Sequence, residues 1–308
     1  MVDKYVVVAG GSGFIGRYVV QKLTEKGFRV LAPVRDLDKA QKVLGKHESV
    51  LLLDLNNPFL ERVFKKYSPE VFINLVGILK EDKKQGITYD NVHFLFAKGL
   101  IDLAKEVGAK KFIQISACGV DKNNLSRYFL TKKRAEDYLI ASGLDYLIFR
   151  PSIVIGKEQK LFEDLKRFIF LPLLVVPKIR VQPIHVLDLA EIILKGVEDK
   201  NFKNQICNVG GEKIFPMKEL FRLGFQYLVE NSNLPTVFKK FLSKKLIIEL
   251  PPKYFEPLLP ILERLDIMDR EQLLMTYTEN ICPNDNCAIK LFPRLRDISE
   301  FFKPKKEN

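Results

Sequence analysis

Short apolar runs alternate with amphipathic stretches through the first two-thirds of this 308-residue chain. The runs at Tyr5–Ala9, Arg29–Val34, Ser49–Leu53, Val71–Leu75, Lys111–Ile115 and Tyr146–Phe149 are rich in β-branched and aromatic residues. That pattern belongs to strands buried on both faces of a parallel sheet. Between them, Gly16–Lys26, Asn91–Val107 and Ser126–Ala141 carry apolar residues at helical spacing. The alternation predicts an α/β protein with a Rossmann-type, doubly wound parallel sheet, its crevice at the carboxyl ends of the strands. After Gly156 the texture changes. An aromatic, proline-containing segment, Leu161–Pro177, precedes an expected return to the sheet at Arg180–Lys195 and Gln205–Val209. From Lys213 onward the pattern is mainly helical, broken at Pro251, Pro252, Pro257 and Pro260. The expected division is a first domain over 1–156, its sheet completed by about 180–210. Residues 157–179 and 213–308 then form a smaller, mainly helical substrate-side region, ending in a charged tail at Lys303–Asn308.

The junction of the first strand and first helix carries the most chemistry. Val6-Val7-Val8-Ala9 runs straight into Gly10-Gly11-Ser12-Gly13-Phe14-Ile15-Gly16, and helical spacing resumes at once. Gly10, Gly13 and Gly16 fit G-x-x-G-x-x-G, while Gly11, Gly13 and Gly16 fit G-x-G-x-x-G. In either register one glycine makes the tight turn and one admits a pyrophosphate to the backbone. The last lets the helix pack close to the strand, and helix-terminal N–H groups face the phosphates. The competing reading is a glycine turn with no ligand.

Further along, the end of the second strand reads Val34-Arg35-Asp36. The position where dinucleotide folds place a ribose-binding acid falls on Val34, so Arg35 is expected against a 2′-phosphate and NADP(H) is favoured over NAD(H). A register shift of two would restore an acid at Asp36. Asp54-Leu55, closing the third strand, is placed to meet the adenine edge or simply to cap a turn. Leu75-Val76-Gly77 closes the fourth strand, where a small residue lets the cofactor ribose pass. Pro151, Ser152 and Ile153 follow the sixth strand, with Pro151 expected near the nicotinamide, while Arg150 is read as a buried structural pair.

Tyr128 and Lys132 stand at i, i+4 on one helix face. A neighbouring ammonium favours phenolate and lowers a tyrosine pKa, fitting Tyr128 for general acid–base work; chance spacing on a solvated helix is the alternative. Ser116, in Ile115-Ser116-Ala117-Cys118-Gly119, is the one hydroxyl available to polarise a substrate carbonyl, although Ala117 occupies the neighbouring position where the hydroxyl is expected if the register moves by one. His185 is read as structural or cofactor-adjacent, and Asp188 as the N-cap of a following helix.

Composition narrows the class. The chain carries a formal charge of +12, and residues 1–150 hold 25 Lys/Arg against 17 Asp/Glu, a net of +8. A basic first half suits an anionic dinucleotide or a lysine-rich solvated surface; no basic stripe interleaved with aromatics argues for nucleic acid. The opening residues carry charges at Asp3 and Lys4 with no leader pattern. The longest apolar run, Phe168–Pro177, is about half the ~20 residues a membrane span needs. With Lys166, Arg167, Lys178 and Arg180 around it, this run fits an anionic interface, a pocket wall or ordinary core. Lys239–Leu246 is a second basic amphipathic stretch, equally readable as a solvated helix. Cys118, Cys207, Cys282 and Cys287 are expected as reduced thiols of a cytoplasmic protein, and no metal-ligand spacing is present.

These segments together resemble the atypical and extended short-chain dehydrogenase/reductases from Tyr5 to Gly211. A narrower set is similar to one subfamily: Phe72-Ile73-Asn74-Leu75-Val76-Gly77-Ile78-Leu79, Asn91-Val92-His93, Ile115-Ser116-Ala117, Gln182-Pro183-Ile184-His185-Val186, and Asp269-Arg270-Glu271-Gln272-Leu273-Leu274 followed by Asn280. That subfamily holds the NADPH-binding accessory subunit of respiratory complex I and its free-standing bacterial relatives. The resemblance implies tight nucleotide binding. It leaves two main readings open. One is an oxidoreductase or epimerase-type enzyme acting on a small molecule with an apolar part, Tyr128 exchanging the proton, Lys132 tuning it and Ser116 holding the oxygen. The other is a cofactor-bound structural or assembly protein of a respiratory complex, peripheral at the inner face of a membrane. A redox sensor reporting the NADPH/NADP ratio is a third.

Overall fold

In the computed structural model, residues 4–159, 164–232, 235, 239, 242, 245–282 and 286–302 are described. Seven strands form one parallel sheet: β1 (Tyr5–Ala9), β2 (Arg29–Val34), β3 (Val50–Asp54), β4 (Val71–Asn74), β5 (Lys111–Ile115), β6 (Asp145–Pro151) and β7 (Gln205–Val209). Their order is β7-β6-β5-β4-β1-β2-β3, with β1 paired in parallel to both β2 and β4. The strand order reverses at β1, so a crevice opens between the β1 and β4 ends.

Side chains alternate along each strand and build two cores. Val6, Val8, Val30 and Ile73 meet Val19, Val20 and Leu23 of α1 (Phe14–Glu25) on one face. The opposite face buries Val7, Ala9, Leu31, Phe72, Phe112 and Ile148. These pack against Phe64 of α2 (Leu60–Tyr67), Leu100 and Ile101 of α3 (Phe96–Glu106) and Leu139 of α4 (Arg127–Ile140). Burying each such aliphatic or aromatic side chain stabilises the fold by about 1.5–3 kcal/mol, and that burial on both faces explains the uninterrupted apolar runs.

Several expectations need correction. Arg180–Lys195 does not re-enter the main sheet. Arg180–Val181 and Ile184–His185 are two-residue strands in separate small ladders, and Val186–Glu198 is helix α5. His185, not Asp188, caps that helix by accepting the Leu187 N–H at 3.1 Å. Asp188 lies within the first turn and pairs with Arg296. The region beyond Lys213 is mainly helical, as its pattern predicts, and also contains strand. Leu246–Leu250 is a strand paired in parallel with Leu173–Pro177, beside helix α6 (Met217–Glu230). Residues 160–163, residues 240, 241, 243 and 244 of the basic stretch Lys239–Leu246, and the tail Lys303–Asn308 lie outside the described residues. Cys207 and Cys287 are joined as a disulfide, with Cα atoms 5.5 Å apart, so the expectation of four reduced thiols fails; Cys118 and Cys282 keep their thiols.

Candidate functional site

The glycine turn adopts the G-x-x-G-x-x-G register. Gly10 has φ +81°, and its carbonyl accepts the Gly13 N–H at 2.9 Å. A methyl group at Gly16 would lie 2.0 Å from that carbonyl, so Gly16 is the close-packing glycine. Gly13 is the N-cap of α1, exposed, with no side chain capping the helix. Its added methyl would meet only the Gly10 carbonyl, at 3.1 Å. No side chain caps the first N–H groups of α1, and the N-cap itself carries none, which is what a pyrophosphate at a helix N-terminus needs. Gly11 is buried against Val20 and has a packing role. Ser12, Phe14 and Ile15 are part-buried, with the Phe14 ring seated where a side chain at Gly156 would be.

The loops after β2, β3 and β4 surround this turn. Leu75 and Val76 pack within 3.3 Å of where a side chain on Gly10 would project. Asp36 accepts the Lys39 N–H at 2.9 Å and caps the next helix, Leu37–Leu44. Asp54, opposite Val34 in register, accepts the Asn56 N–H at 2.9 Å, and Leu55 N–H donates to Val34 O at 2.8 Å. Both acids are engaged locally. Arg35 is exposed and pairs with no carboxylate among the described residues.

At the other end of the crevice, Lys132 is 7% exposed, its Nζ making one long contact of 3.5 Å to Ile115 O. An ammonium has three protons to donate. Burial lowers its pKa to about 8, with Glu136 opposing. Gly77 lies against it: a methyl there would sit 3.6 Å from Nζ and 3.8 Å from His93 Nε2. Ser116 is 4% exposed and its Oγ is buried without a partner. Two under-satisfied polar groups thus stand at the carboxyl end of β5, a pattern expected where a polar ligand completes the hydrogen bonding.

Tyr128 corrects the expected electrostatics. Its ring is enclosed edge-on by Tyr89, His93 and Phe129, with Lys132 Nζ 5.4 Å from its centroid. Burial raises its pKa above the ordinary phenol value, so phenolate is disfavoured here. His93 is a contributor that spacing alone did not single out. It lies in a π-helical turn, Asp90–Leu95, at the head of α3, a distortion that helical periodicity cannot reveal. His93 Nδ1 lies 3.1 Å from the Thr131 hydroxyl, which also reaches Arg127 O at 2.8 Å, and Nε2 lies 3.1 Å from both the N–H and the carbonyl oxygen of Ile78, so the ring holds the loop beside Gly77. Burial first, then the Lys132 charge, lowers the His93 pKa to about 2, so the ring stays neutral.

Pro151 and Ser152 are buried, and the Ser152 hydroxyl donates to Asn280 O at 2.8 Å and accepts the Gln182 N–H at 3.1 Å. Ile153 packs with the C-terminal cluster around Ile155 and Phe215. Arg150 forms the buried pair expected of it, with Nε 2.9 Å from Glu136.

The fold and the glycine turn define a Rossmann-type dinucleotide-binding protein. Residues 10–166 match the NAD(P)H-binding family model; the chain belongs to that family, as an atypical short-chain dehydrogenase/reductase resembling the accessory subunit of complex I. A nicotinamide dinucleotide is its cofactor. It is similar to the mitochondrial NADH dehydrogenase (ubiquinone) 1 alpha subcomplex subunit 9 of Arabidopsis thaliana, 28% identical over 72% of this chain and 58% of that one. It is also similar to a ceramide reductase of Caulobacter vibrioides, 31% identical over 60% of this chain and 58% of the relative. The chain therefore spans about six-tenths of the length of these relatives. Among solved structures, the Bordetella bronchiseptica enzyme WbmH in complex with NAD+ superposes with a TM-score of 0.65 at 18% identity, covering 80% of this chain and 86% of that one. No helix among the described residues is long and apolar enough to cross a membrane.

Proposed function

We propose that the protein is an NADP(H)-dependent oxidoreductase that reduces a carbonyl on a small molecule with an apolar part. The observation that carries this reading is Lys132: a desolvated ammonium with one long contact, one helical turn from Tyr128 and beside the unpartnered Ser116 hydroxyl. Lys132 and Gly77 would take the nicotinamide ribose, Gly10, Gly13 and Gly16 the pyrophosphate, and Asp54 and Leu55 the adenine edge. When bound, the cofactor supplies the hydride to the carbonyl carbon. Ser116 Oγ–H would hold the carbonyl oxygen, and Tyr128 would pass its hydroxyl proton to that oxygen as the alcohol forms. A phenol kept protonated by burial suits this reductive direction, where the step needs an acid. The name of the Caulobacter relative supports a substrate with an apolar part, and the described residues within 157–179 and 213–302 would form its side of the pocket.

The test is to release and identify the nucleotide that co-purifies, then offer candidate carbonyl substrates to the reduced form. Turnover that disappears in Tyr128→Phe while nucleotide binding remains supports the reading. Bound nucleotide inert across a broad carbonyl and alcohol panel favours a second one, a cofactor-bound assembly protein of a respiratory complex. Ala117 beside Ser116, the enclosure of Tyr128 and the name of the Arabidopsis relative all support that alternative. The NADP preference rests on Arg35, which pairs with no carboxylate among the described residues while both nearby acids are engaged. Arg35→Asp is expected to lower NADP affinity by about tenfold or more relative to NAD, the loss of a charge-assisted phosphate contact. Unchanged relative affinities in titration calorimetry would remove Arg35 from that role.

A further inference from the structure

Helix α4 begins without a cap of its own. Its N-cap, Ser126, makes no side-chain bond to the turn that follows, although a serine there ordinarily accepts an N–H two or three residues on. The buried Ser126 hydroxyl donates instead to Glu271 Oε2 at 3.1 Å, and the same oxygen accepts the Arg127 N–H at 2.8 Å. The first N–H of α4 is thus satisfied by a carboxylate 144 residues away in sequence, placed at the positive end of the helix dipole. Arg127 does not compete for that charge. Its guanidinium turns to Asp90 at 2.9 Å and Glu81 at 3.4 Å.

Glu271 is itself firmly held. It belongs to the short helix Arg270–Met275, whose capping box joins Asp269 Oδ1 to the Gln272 N–H at 2.8 Å and Gln272 Oε1 to the Asp269 N–H at 2.9 Å. Two further contacts seat this helix beside the start of α4. Asn123 Nδ2 donates to Leu274 O at 2.8 Å, while Asn123 Oδ1 accepts the Leu125 and Ser126 N–H groups at 3.0 and 3.1 Å. Met275 packs on the apolar cluster that contains Tyr89, Tyr128 and Phe129. Tyr128 therefore follows directly on a turn whose backbone is fixed from the C-terminal part of the chain.

Lys132, one turn further, has a different anchor. Glu136, one turn beyond it, is joined to Arg150 of β6 at 2.9 Å. The two side chains are set from two directions, Lys132 from the sheet and Tyr128 from the helix Arg270–Met275.

We propose that Glu271 is a positioning residue for proton transfer by Tyr128, a role that rests on the oxidoreductase reading of the site. By fixing the first turn of α4, Glu271 sets where the phenol hydroxyl stands relative to the carbonyl oxygen. The ribose contact proposed for Lys132 does not depend on it. Misplacing a reacting group by about an ångström can cost about a hundredfold in rate, so Glu271 acts on the transition state and leaves ground-state binding alone.

The full-length protein would be assayed with NADPH and a panel of alkyl aldehydes and ketones, decanal among them, and its nucleotide affinity measured separately by calorimetry. Glu271→Ala should lower kcat by about tenfold or more, with KM and nucleotide Kd within about twofold of the parent. Glu271→Gln keeps an oxygen that can accept both bonds and removes only the charge, so its kcat should stay within about threefold of the parent. If Glu271→Ala fails to fold, Ser126→Ala removes one of the two bonds and should show the same split between kcat and KM, with kcat lowered about threefold. A merely structural cap would lower nucleotide affinity and kcat in step, and that result overturns the proposal. So does kcat unchanged in folded Glu271→Ala, or Glu271→Gln no better than Glu271→Ala. A parent that binds nucleotide and reduces no carbonyl sinks the oxidoreductase reading and the role of Glu271 with it. Turnover in the parent that survives Glu271→Ala sinks the role of Glu271 alone.

Discussion

An added methyl group at Gly16 would lie 2.0 Å from the Gly10 carbonyl and 2.7 Å from the Gly11 backbone, whereas at Gly13 it would meet one atom at 3.1 Å. The two glycines therefore serve different ends, and one substitution at each separates them. Gly16→Ala should cost about 3 kcal/mol in denaturant unfolding, because backbone must move. Gly13→Ala should cost less than about 1 kcal/mol and still abolish most nucleotide affinity; retained affinity would remove Gly13 from the phosphate cradle. Lys132 separates stability from function in another way. Its folded pKa of about 8 lies below the ordinary 10.5, so between those values the unfolded chain holds the extra proton. Stability of the nucleotide-free protein should then rise with pH from about 8 to 10.5; below 8 both states are protonated and the penalty is constant. Lys132→Met should flatten this component and melt no lower than the parent at neutral pH, while binding nucleotide more weakly. A slope unchanged in the variant belongs to another group. The spacing of Tyr128 and Lys132 was legible in the sequence, but the direction of the Tyr128 shift was not, since it depends on rings brought from Tyr89 and His93.

Helix α4 is held in place by more than its apolar face. Arg150 on β6 reaches Glu136, fully buried one turn beyond Lys132, and Asp121 after β5. Arg150→Met would strand the Glu136 carboxylate in the core and should cost about 3–5 kcal/mol. Adding Glu136→Leu should recover most of that loss in a double-mutant cycle, and a simple sum of the two single costs would show that the pair is not coupled. The strands of the main sheet were readable because the central ones are buried on both faces, the edge strands β3 and β7 keep apolar runs, and all are bounded by turns. The π-helical turn at Asp90–Leu95 was hidden, because six residues are too few to tell its period from that of an α-helix. Leu246–Leu250 was hidden for a different reason: its partner, Leu173–Pro177, lies far off in sequence, and apolar residues on both faces leave no alternation to detect.

At the scale of the molecule, the C-terminal segment is tied to the sheet and to the chain after Gly156 through contacts that no local pattern announces. Gln182 bonds Gly211 O and the Cys282 N–H, each at 2.8 Å, and Asn286 bonds Gly210 through both its N–H and its carbonyl. Gly210 fits closely here: a methyl there would sit 2.5 Å from the Cys282 sulfur and 2.9 Å from the Gln182 side chain, so those side chains would have to move. The Cys207–Cys287 disulfide anchors this segment to β7 across 80 residues of sequence. Cysteine counting pointed instead to reduced thiols, because chain-wide proximity cannot be read from spacing. Denatured without reductant, the protein should therefore titrate two thiols, Cys118 and Cys282, and all four cysteines after reduction. Cys287→Ser should lower stability by about 4 kcal/mol if loop closure in the unfolded chain dominates. The glycine turn lies across the sheet, at the β1 end, so nucleotide affinity should be preserved. Four thiols without reductant would sink the cross-link, and nucleotide affinity falling in step with stability would show that the two sides of the sheet act as one unit.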